Sequence, residues 1–208
     1  MNNLDKITVI GDVHGKYDHY HKIIIRNEDH PYTIQLGDFG FKYETLKNID
    51  STRHLILPGN HDNYHDCYNH AHFLGDYGYT SLNRVNFFYY RGAYSIDRQD
   101  RTIGINWWEQ EQVAIDQFMK ARELYREIKP DIVLTHDCPD FMVRNYIGPY
   151  ARVYENITNW ALGELYKIHQ PKLWIHGHYH QSKTTVYENT KFICLDELEI
   201  YSLAKDEY

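Results

Sequence analysis

Gly11-Asp12-Val13-His14-Gly15 follows a short apolar run, Ile7-Thr8-Val9-Ile10, near the start of the chain. An acid and an imidazole two residues apart, flanked by glycines, stand where a buried strand opens into a loop. Read alone, the pair is a polar turn. Four further stretches repeat the arrangement, each a short apolar run ending in a polar cluster. Tyr32 to Leu36 stops at Gly37-Asp38-Phe39-Gly40, and Arg53 to Leu57 stops at Pro58-Gly59-Asn60-His61-Asp62. Asp131 to Leu134 stops at Thr135-His136-Asp137-Cys138-Pro139, and Lys172 to Ile175 runs into His176-Gly177-His178-Tyr179-His180.

Helical periodicity fills the intervals. Lys16 to about Asn27 carries Tyr20, Ile23 and Ile24 on one face, and residues 42–49 read as a short helix. Glu109 to about Lys129 reads as a helix stopped by Pro130, and Glu155 to His169 as another stopped at Gln170-Pro171. The opening third therefore alternates strand and helix, and its strands lack strict alternation, as expected when helices cover them. Polar residues gather after the C-terminal strand ends, where open α/β sheets bind ligands. Residues 63–108 are less regular, with a short helix expected at His65 to His72 and strands at Phe87 to Ile96 and Arg101 to Asn106. The tail reads as antiparallel strands at Lys183–Tyr187, Lys191–Leu195 and Leu198–Leu203.

A chain of 208 residues suits one domain, taken as 1–208, with a large core. No apolar run is long enough to span a bilayer, and Met1 to Lys6 does not read as a signal peptide, so a cytoplasmic location is expected. The three cysteines are widely spaced with no C-x-x-C pair, which argues against a disulfide framework or a thiolate zinc site. The formal charge of −7 does not indicate a nucleic-acid binder. The 20 tyrosines read as strand formers and half-buried packing residues.

Many of the 14 histidines fall in the five polar clusters. Carboxylate oxygen with imidazole nitrogen suits Mn²⁺, Fe or Zn²⁺ better than Ca²⁺ or a thiolate-seeking ion. Asp12, His14, Asp38, Asn60, His61, His136, His178 and His180 are too many ligand-type residues for one ion. Two ions need a bridge, and Asp38, on the middle of the first three strands, has two oxygens to offer.

The ordered set G-D-V-H-G, G-D-F-G, G-N-H-D, T-H and G-H-Y-H resembles the calcineurin-like metallophosphoesterase superfamily, over residues 7 to 180. The resemblance implies a four-layer αββα sandwich, two mixed central sheets flanked by helices. It implies that Asp12, His14 and His180 hold a first ion, that Asn60, His136 and His178 hold a second, and that Asp38 bridges. His61 is then no ligand but a catalytic residue near the leaving-group oxygen. The implied reaction is two-metal hydrolysis of a phosphate ester by a metal-bridging hydroxide, with Mn²⁺ the expected ion. No Ser or Cys stands in a motif as a nucleophile, so direct attack with inversion at phosphorus is expected. Asp62 is read as orienting the Asn60–His61 loop, with pairing to His61 as the alternative. His176 is read as packing or supporting a neighbouring ligand.

The first motif is also similar to that of the protein Ser/Thr phosphatases and diadenosine tetraphosphate hydrolases, which follow the second motif with an Asp and an Arg. Here Phe39-Gly40-Phe41-Lys42 stands instead. An acidic partner for His61 and an arginine that clamps phosphate are therefore missing from that place. Arg84, Arg91, Arg144 and Arg152 are candidates to replace the arginine, though surface positions are the simpler reading. Substrate selection is expected in residues 63–108 and 137–155, including a loop at Gly148-Pro149-Tyr150. Trp107-Trp108 is read as packing at a helix entrance, with base stacking as the alternative. The expected substrate is a phosphomonoester or a small nucleotide-type phosphodiester. The rivals are a nuclease of the same fold and a non-catalytic interaction module, the latter expected to show decayed ligands.

Overall fold

The computed structural model describes residues 7–26, 31–148 and 156–203. Among the described residues, ten strands form two sheets. The smaller contains β1 (Ile7–Ile10), β2 (Thr33–Gln35), β3 (His54–Ile56) and β10 (Ile200–Leu203), in the order β10-β1-β2-β3. The larger contains β4 (Tyr77–Leu82), β5 (Val85–Tyr90), β6 (Ile132–Thr135), β7 (Leu173–His176), β8 (Lys183–Tyr187) and β9 (Thr190–Cys194), in the order β4-β5-β6-β7-β9-β8. Strands β1, β2 and β3 run parallel, as do β5, β6, β7 and β9. The edges β10, β4 and β8 are antiparallel to their neighbours. Both sheets are therefore mixed.

The reason the strands do not alternate in hydrophobicity is that both faces of each sheet are covered. In β6, Ile132 and Leu134 point into a core shared with Ile7, Val9 and Ile34 of the other sheet, whereas Val133 points the opposite way. Trp174 of β7 likewise faces outward between Leu173 and Ile175. The outward set packs under α3 (Ile115–Ile128) and α5 (Ile157–Ile168) through Phe118, Ala121, Tyr125, Leu162 and Leu165. On the far side, α1 (Tyr17–Arg26) lays Tyr20, Ile23 and Ile24 over the smaller sheet with Ile10 and Ile56. Helix, sheet, sheet and helix thus form four layers, and the central strands bury apolar side chains on both faces.

Several elements differ from the sequence expectation. The expected helix over 42–49 is a single 3₁₀ turn at Tyr43–Leu46, and that over His65–His72 is only α2 (Tyr64–Cys67). The expected helix from Glu109 is broken: a 3₁₀ turn covers Glu109–Glu111, and α3 begins at Ile115. Residues 101–106 form no strand of either sheet. Gly104, at φ +74°, turns the segment back on itself with its N–H donating to Trp107 O at 2.8 Å. Ile103 and Ile105 then face solvent, so the apparent alternation does not mark a buried face. Strand β5 ends at Tyr90 rather than Ile96, because Gly92 and Ala93 donate to Pro58 O and Glu111 O instead of a sheet neighbour. Strand β4 escapes the sequence pattern: it is a half-exposed edge joined to β5 through Asn83 and Arg84, both left-handed, without the Asn-Gly signal. The last tail strand leaves its hairpin and pairs with β1 in the other sheet, Ile7 opposite Leu203. A short α4 (Asp140–Met142) continuing into a π-helical turn at Val143–Ile147 has no periodic signature. Asn27, Glu155, Arg152, Pro149 and Tyr150 lie outside the described residues.

Candidate metal centre

The C-terminal ends of β1, β2, β6 and β7 meet between the sheets, with the loop after β3 closing in beside them. Strand alternation would send Asp12 and His14, or His178 and His180, to a common side only while the strand continued. The chain instead leaves the strands through left-handed residues. His14 (φ 46°), Asp38 (φ 54°), His178 (φ 67°) and His180 (φ 49°) all occupy that region. Each such residue costs roughly 1–3 kcal/mol unless its surroundings hold it. Close approach does the holding. A Cβ on Gly59 would overlap Asp38 Oδ1 and the Asp38 backbone N, and one on Gly177 would overlap Asp12 Oδ1.

Two groups of ligand atoms result. Asp12, His14 and His180 each present one atom, all within 4.8 Å of one another, and Asp38, His136 and His178 do the same. His180 Nε2 is 3.1 Å from Asp12 Oδ2 and 2.9 Å from His14 Nε2. His14 Nε2 also lies 3.5 Å from Asp38 Oδ2, which joins the two groups. His136 donates from Nδ1 to Leu36 O at 2.6 Å, so its Nε2 lone pair is aimed at Asn60 Oδ1 (3.0 Å) and Asp38 Oδ1 (3.3 Å). Three acceptors facing one another require a cation or an added proton between them. Asn60 presents its oxygen because its Nδ2 donates to Ser95 Oγ at 2.9 Å. The donor atoms are oxygen and nitrogen, and all three cysteines are buried and free, so the set fits Mn²⁺, Fe or Zn²⁺.

The electrostatics favour bound cations. Burial would push Asp12 up, but His136, with hydrogen bonds from His14 and His180, holds it at about 2. Asp38 is held well below the usual carboxylate range in spite of burial, chiefly by His136. Conversely, burial would lower His136, yet Asp38 and Asp12 raise it to about 10. Two charged carboxylates with 0–1 % exposure so close together demand positive charge.

Above the ligands lies a cavity of about 630 Å³, lined on one side by His14, His61, His178 and His180. The His61 backbone N–H donates to Asp38 Oδ1 at 2.7 Å, and its ring stands edge-on to His14 at 5.1 Å between centroids. Its ring nitrogens belong to neither ligand group. Burial and the neighbouring Arg101 guanidinium lower its pKa to about 4. Asp62 makes no hydrogen bond to His61. It accepts from Gly59 N (2.8 Å) and Gly40 N (3.1 Å), tying the second and third motif loops together, and burial raises its pKa to about 7. His176 is buried, its Nδ1 3.1 Å from Gly177 O and its ring against Tyr179. It stands outside both ligand groups.

A family model described as calcineurin-like phosphoesterase matches residues 5–182. The chain belongs to that family. It is accordingly a metal-dependent phosphoesterase. No curated protein sequence matches it. Among solved structures, the TT1561 protein of Thermus thermophilus is similar at TM-score 0.54 and 10% identity, covering 96% of this chain and 98% of that one. The phosphopantetheinyl hydrolase from Mycobacterium tuberculosis gives 0.50 and 12%, covering 93% and 90%. GAP50, the anchor in the inner membrane complex of Plasmodium, gives 0.52 and 14%, covering 92% and 71%. At such identities the likeness is one of fold.

Within this phosphoesterase, two residues at the site escape sequence reasoning, Ser95 and Arg101. Both lie in the segment between β5 and α3 that leaves the larger sheet. Ser95 orients Asn60, and its own N–H donates to Glu111 Oε1 at 3.2 Å. Arg101 Nη2 is 2.6 Å from His61 Nε2 and 2.8 Å from Asp97 Oδ2. Their partners are 35 and 40 residues away, so no local spacing signals them. The arginines singled out by sequence are elsewhere. Arg91 is buried and bonded to Asp76, Tyr68 and Gln110 O. Arg144 is exposed beside Asp140, Arg84 is an exposed turn residue, and Arg152 is outside the described residues. Trp108 packs edge-on against Phe41 in the α1-side core, and neither tryptophan lines the cavity. The motif residue Asp137 fixes Tyr179 between two histidines, accepting its hydroxyl at 2.6 Å. Among the described residues, no helix is long and apolar enough to cross a membrane.

Proposed function

We propose that this phosphoesterase hydrolyses a phosphomonoester or a small nucleotide-type phosphodiester at a centre of two divalent ions, with Mn²⁺ the preferred metal. Asp12, His14 and His180 hold one ion, Asn60, His136 and His178 hold the other, and Asp38 lies between. The convergence of two complete ligand groups, joined by a 3.5 Å approach of His14 to Asp38, carries the reading. When bound, the ions supply Lewis-acid polarisation of the phosphoryl oxygens and lower the pKa of a water toward neutrality.

The chain's own residues do the rest. Asn60 is a neutral donor, so the site keeps net positive charge for an anionic substrate although the chain is acidic overall. His61, facing the cavity without joining either ligand group, stabilises charge on the departing oxygen, worth typically two to four powers of ten in rate. The left-handed backbones and the Asp62 tie hold these groups before substrate arrives, which is how preorganised sites avoid reorganisation during reaction. A cavity of about 630 Å³ is in the range of small-molecule sites. The reading includes one domain, 1–208, in the cytoplasm, where the buried free thiols of Cys67, Cys138 and Cys194 stay reduced. The non-catalytic reading would be expected to show decayed ligands, and here Asp12, His14 and His180, and Asp38, His136 and His178, converge as two ligand groups.

The test is hydrolysis of p-nitrophenyl phosphate and bis-p-nitrophenyl phosphate after chelation and Mn²⁺ addition. Turnover restored by metal supports the reading. Failure with both esters and with a nucleotide panel overturns it. Asp38→Asn is expected to lose both ions together with activity, and a variant that retained two ions would refute the bridging role.

A further inference from the structure

We infer that Arg101 is the substrate-binding cation of this site and that it selects a dianionic phosphomonoester over a monoanionic diester. The inference rests on the reaction proposed above and adds the substrate class and the residue that recognises it.

Four observations carry it. First, the Arg101 side chain is 8% exposed and yet lines the cavity over the ligand groups. Second, its donors are only half used. Nη2 is shared between His61 Nε2 and Asp97, whereas Nη1 is buried with no hydrogen-bond partner. A guanidinium stays charged, and a buried donor without an acceptor is costly, so at the wall of the cavity Arg101 has donor capacity that its present contacts do not use. Third, the counter-charge is weak. Asp97 reaches Arg101 at 2.7 Å but is itself 52% exposed, so water screens it, and the buried Glu111, whose carboxyl feels the guanidinium's charge, makes no ion pair with it. Fourth, among the described residues Arg101 is the one arginine that lines this cavity.

The contact with His61 gives the charge its address. Arginine has only donors, so His61 Nε2 accepts and the guanidinium stands on the side of the site where the departing oxygen leaves. From there Nη1, which has no hydrogen-bond partner, is the nitrogen left to donate to an oxygen of a terminal phosphoryl group. A monoester offers three non-bridging oxygens and two negative charges, so the ions and Arg101 each find an acceptor. A diester has one fewer free oxygen and one fewer charge, so the same guanidinium gains less from it. The segment that carries Arg101 also places Tyr94 and Ile96 on the cavity wall, which leaves room for an organic group beyond the phosphate.

The experiment uses the Mn²⁺-loaded full chain and Arg101→Ala with Arg101→Lys, metal content being measured in each. Removing one charged transition-state donor typically costs about 10²–10³-fold in rate. Arg101→Ala is therefore expected to lose about 100-fold in kcat/KM on p-nitrophenyl phosphate, but under about 10-fold on bis-p-nitrophenyl phosphate. Arg101→Lys, which keeps the charge but cannot hold His61 and Asp97 while donating from a second nitrogen, should fall between. Titration with inorganic phosphate gives a second readout independent of turnover, and its affinity should drop with the monoester rate. Equal losses on the two esters with phosphate affinity retained would overturn the inference, since that is what disordering His61 alone would produce. So would no loss on either. If the unaltered chain turned over neither ester, the reaction proposed above would fail, while the phosphate titration of the two variants would still decide on Arg101.

Discussion

Ser95 is the least conspicuous residue at the site, and removing its hydroxyl is the sharpest test of how the second ligand group is held. Asn60 can be a ligand only if its amide turns oxygen toward His136 and Asp38. Its Nδ2, 2.9 Å from Ser95 Oγ, keeps it that way round. Both residues are about 1% exposed, so water does not replace the lost acceptor. In Ser95→Ala the buried N–H is left unpaired, at roughly 1–3 kcal/mol. Flipping the amide relieves this, because Nδ2 then donates to the His136 Nε2 lone pair, and the oxygen turns away from the site. Losses of this kind in groups that orient metal ligands cost about 10–100-fold in affinity. Mn²⁺ titration by calorimetry is therefore expected to show one site weakened about 10–100-fold and the other nearly unchanged. Thermal melting in chelator should report a change of about 1–3 kcal/mol at most, which separates the metal effect from misfolding. Equal weakening of both sites, or none, would refute the assignment of Asn60 to one ion and of Ser95 to its orientation.

His61→Ala should retain both ions but lose about 10²–10⁴-fold in rate on esters with poor leaving groups and less on p-nitrophenyl phosphate, as followed by steady-state kinetics with metal analysis; a metal-free variant would refute its placement outside the ligand groups. Burial lowers His54 to about 4, with His72 and Arg53 adding to the effect and Asp50 opposing it. The unfolded chain therefore takes up the proton near pH 6.5 while the folded one resists until about pH 4, so stability should fall as pH drops through that window, by on the order of 1–2 kcal/mol after solvent screening. Urea titrations at pH 7 and pH 5 should show a smaller difference in His54→Gln than in the unaltered chain, and an equal difference would refute it.

The fold and the candidate ligands are legible in the sequence for the same reason. A strand buried on both faces reads as a continuous apolar run, and its end reads as the first polar residue, so chemistry concentrated at strand ends is marked by the strands themselves. That is why Asp12, Asp38, His136 and His178 stand out in the amino-acid sequence itself. Ser95 and Arg101 follow a different logic. They sit where β5 releases the chain, and what holds that stretch is Pro58 O and Glu111 O, both distant in sequence, together with a local reversal at Gly104. The alternation of Ile103 and Ile105 imitates a strand face although both residues are exposed. Residues that position the ligands thus come from a segment of local turns whose placement against the site is decided by tertiary contacts.

The left-handed residues explain why these motifs hold so much information in so few letters. Leaving a strand sharply enough to turn two nearby side chains onto one point requires positive φ, and apart from glycine that region is enriched in Asn, Asp and His. The residues that tolerate the turn are therefore also the oxygen and nitrogen donors a divalent ion needs. At Asp38, His14, His178 and His180 one residue does both jobs. Glycine supplies only what remains, the missing Cβ where Gly59 passes Asp38 and Gly177 passes Asp12. On this reasoning a motif such as Gly177-His178-Tyr179-His180 is a backbone shape first and a donor set second. Its tyrosine, whose hydroxyl reaches Asp137, braces that shape from outside the donor set.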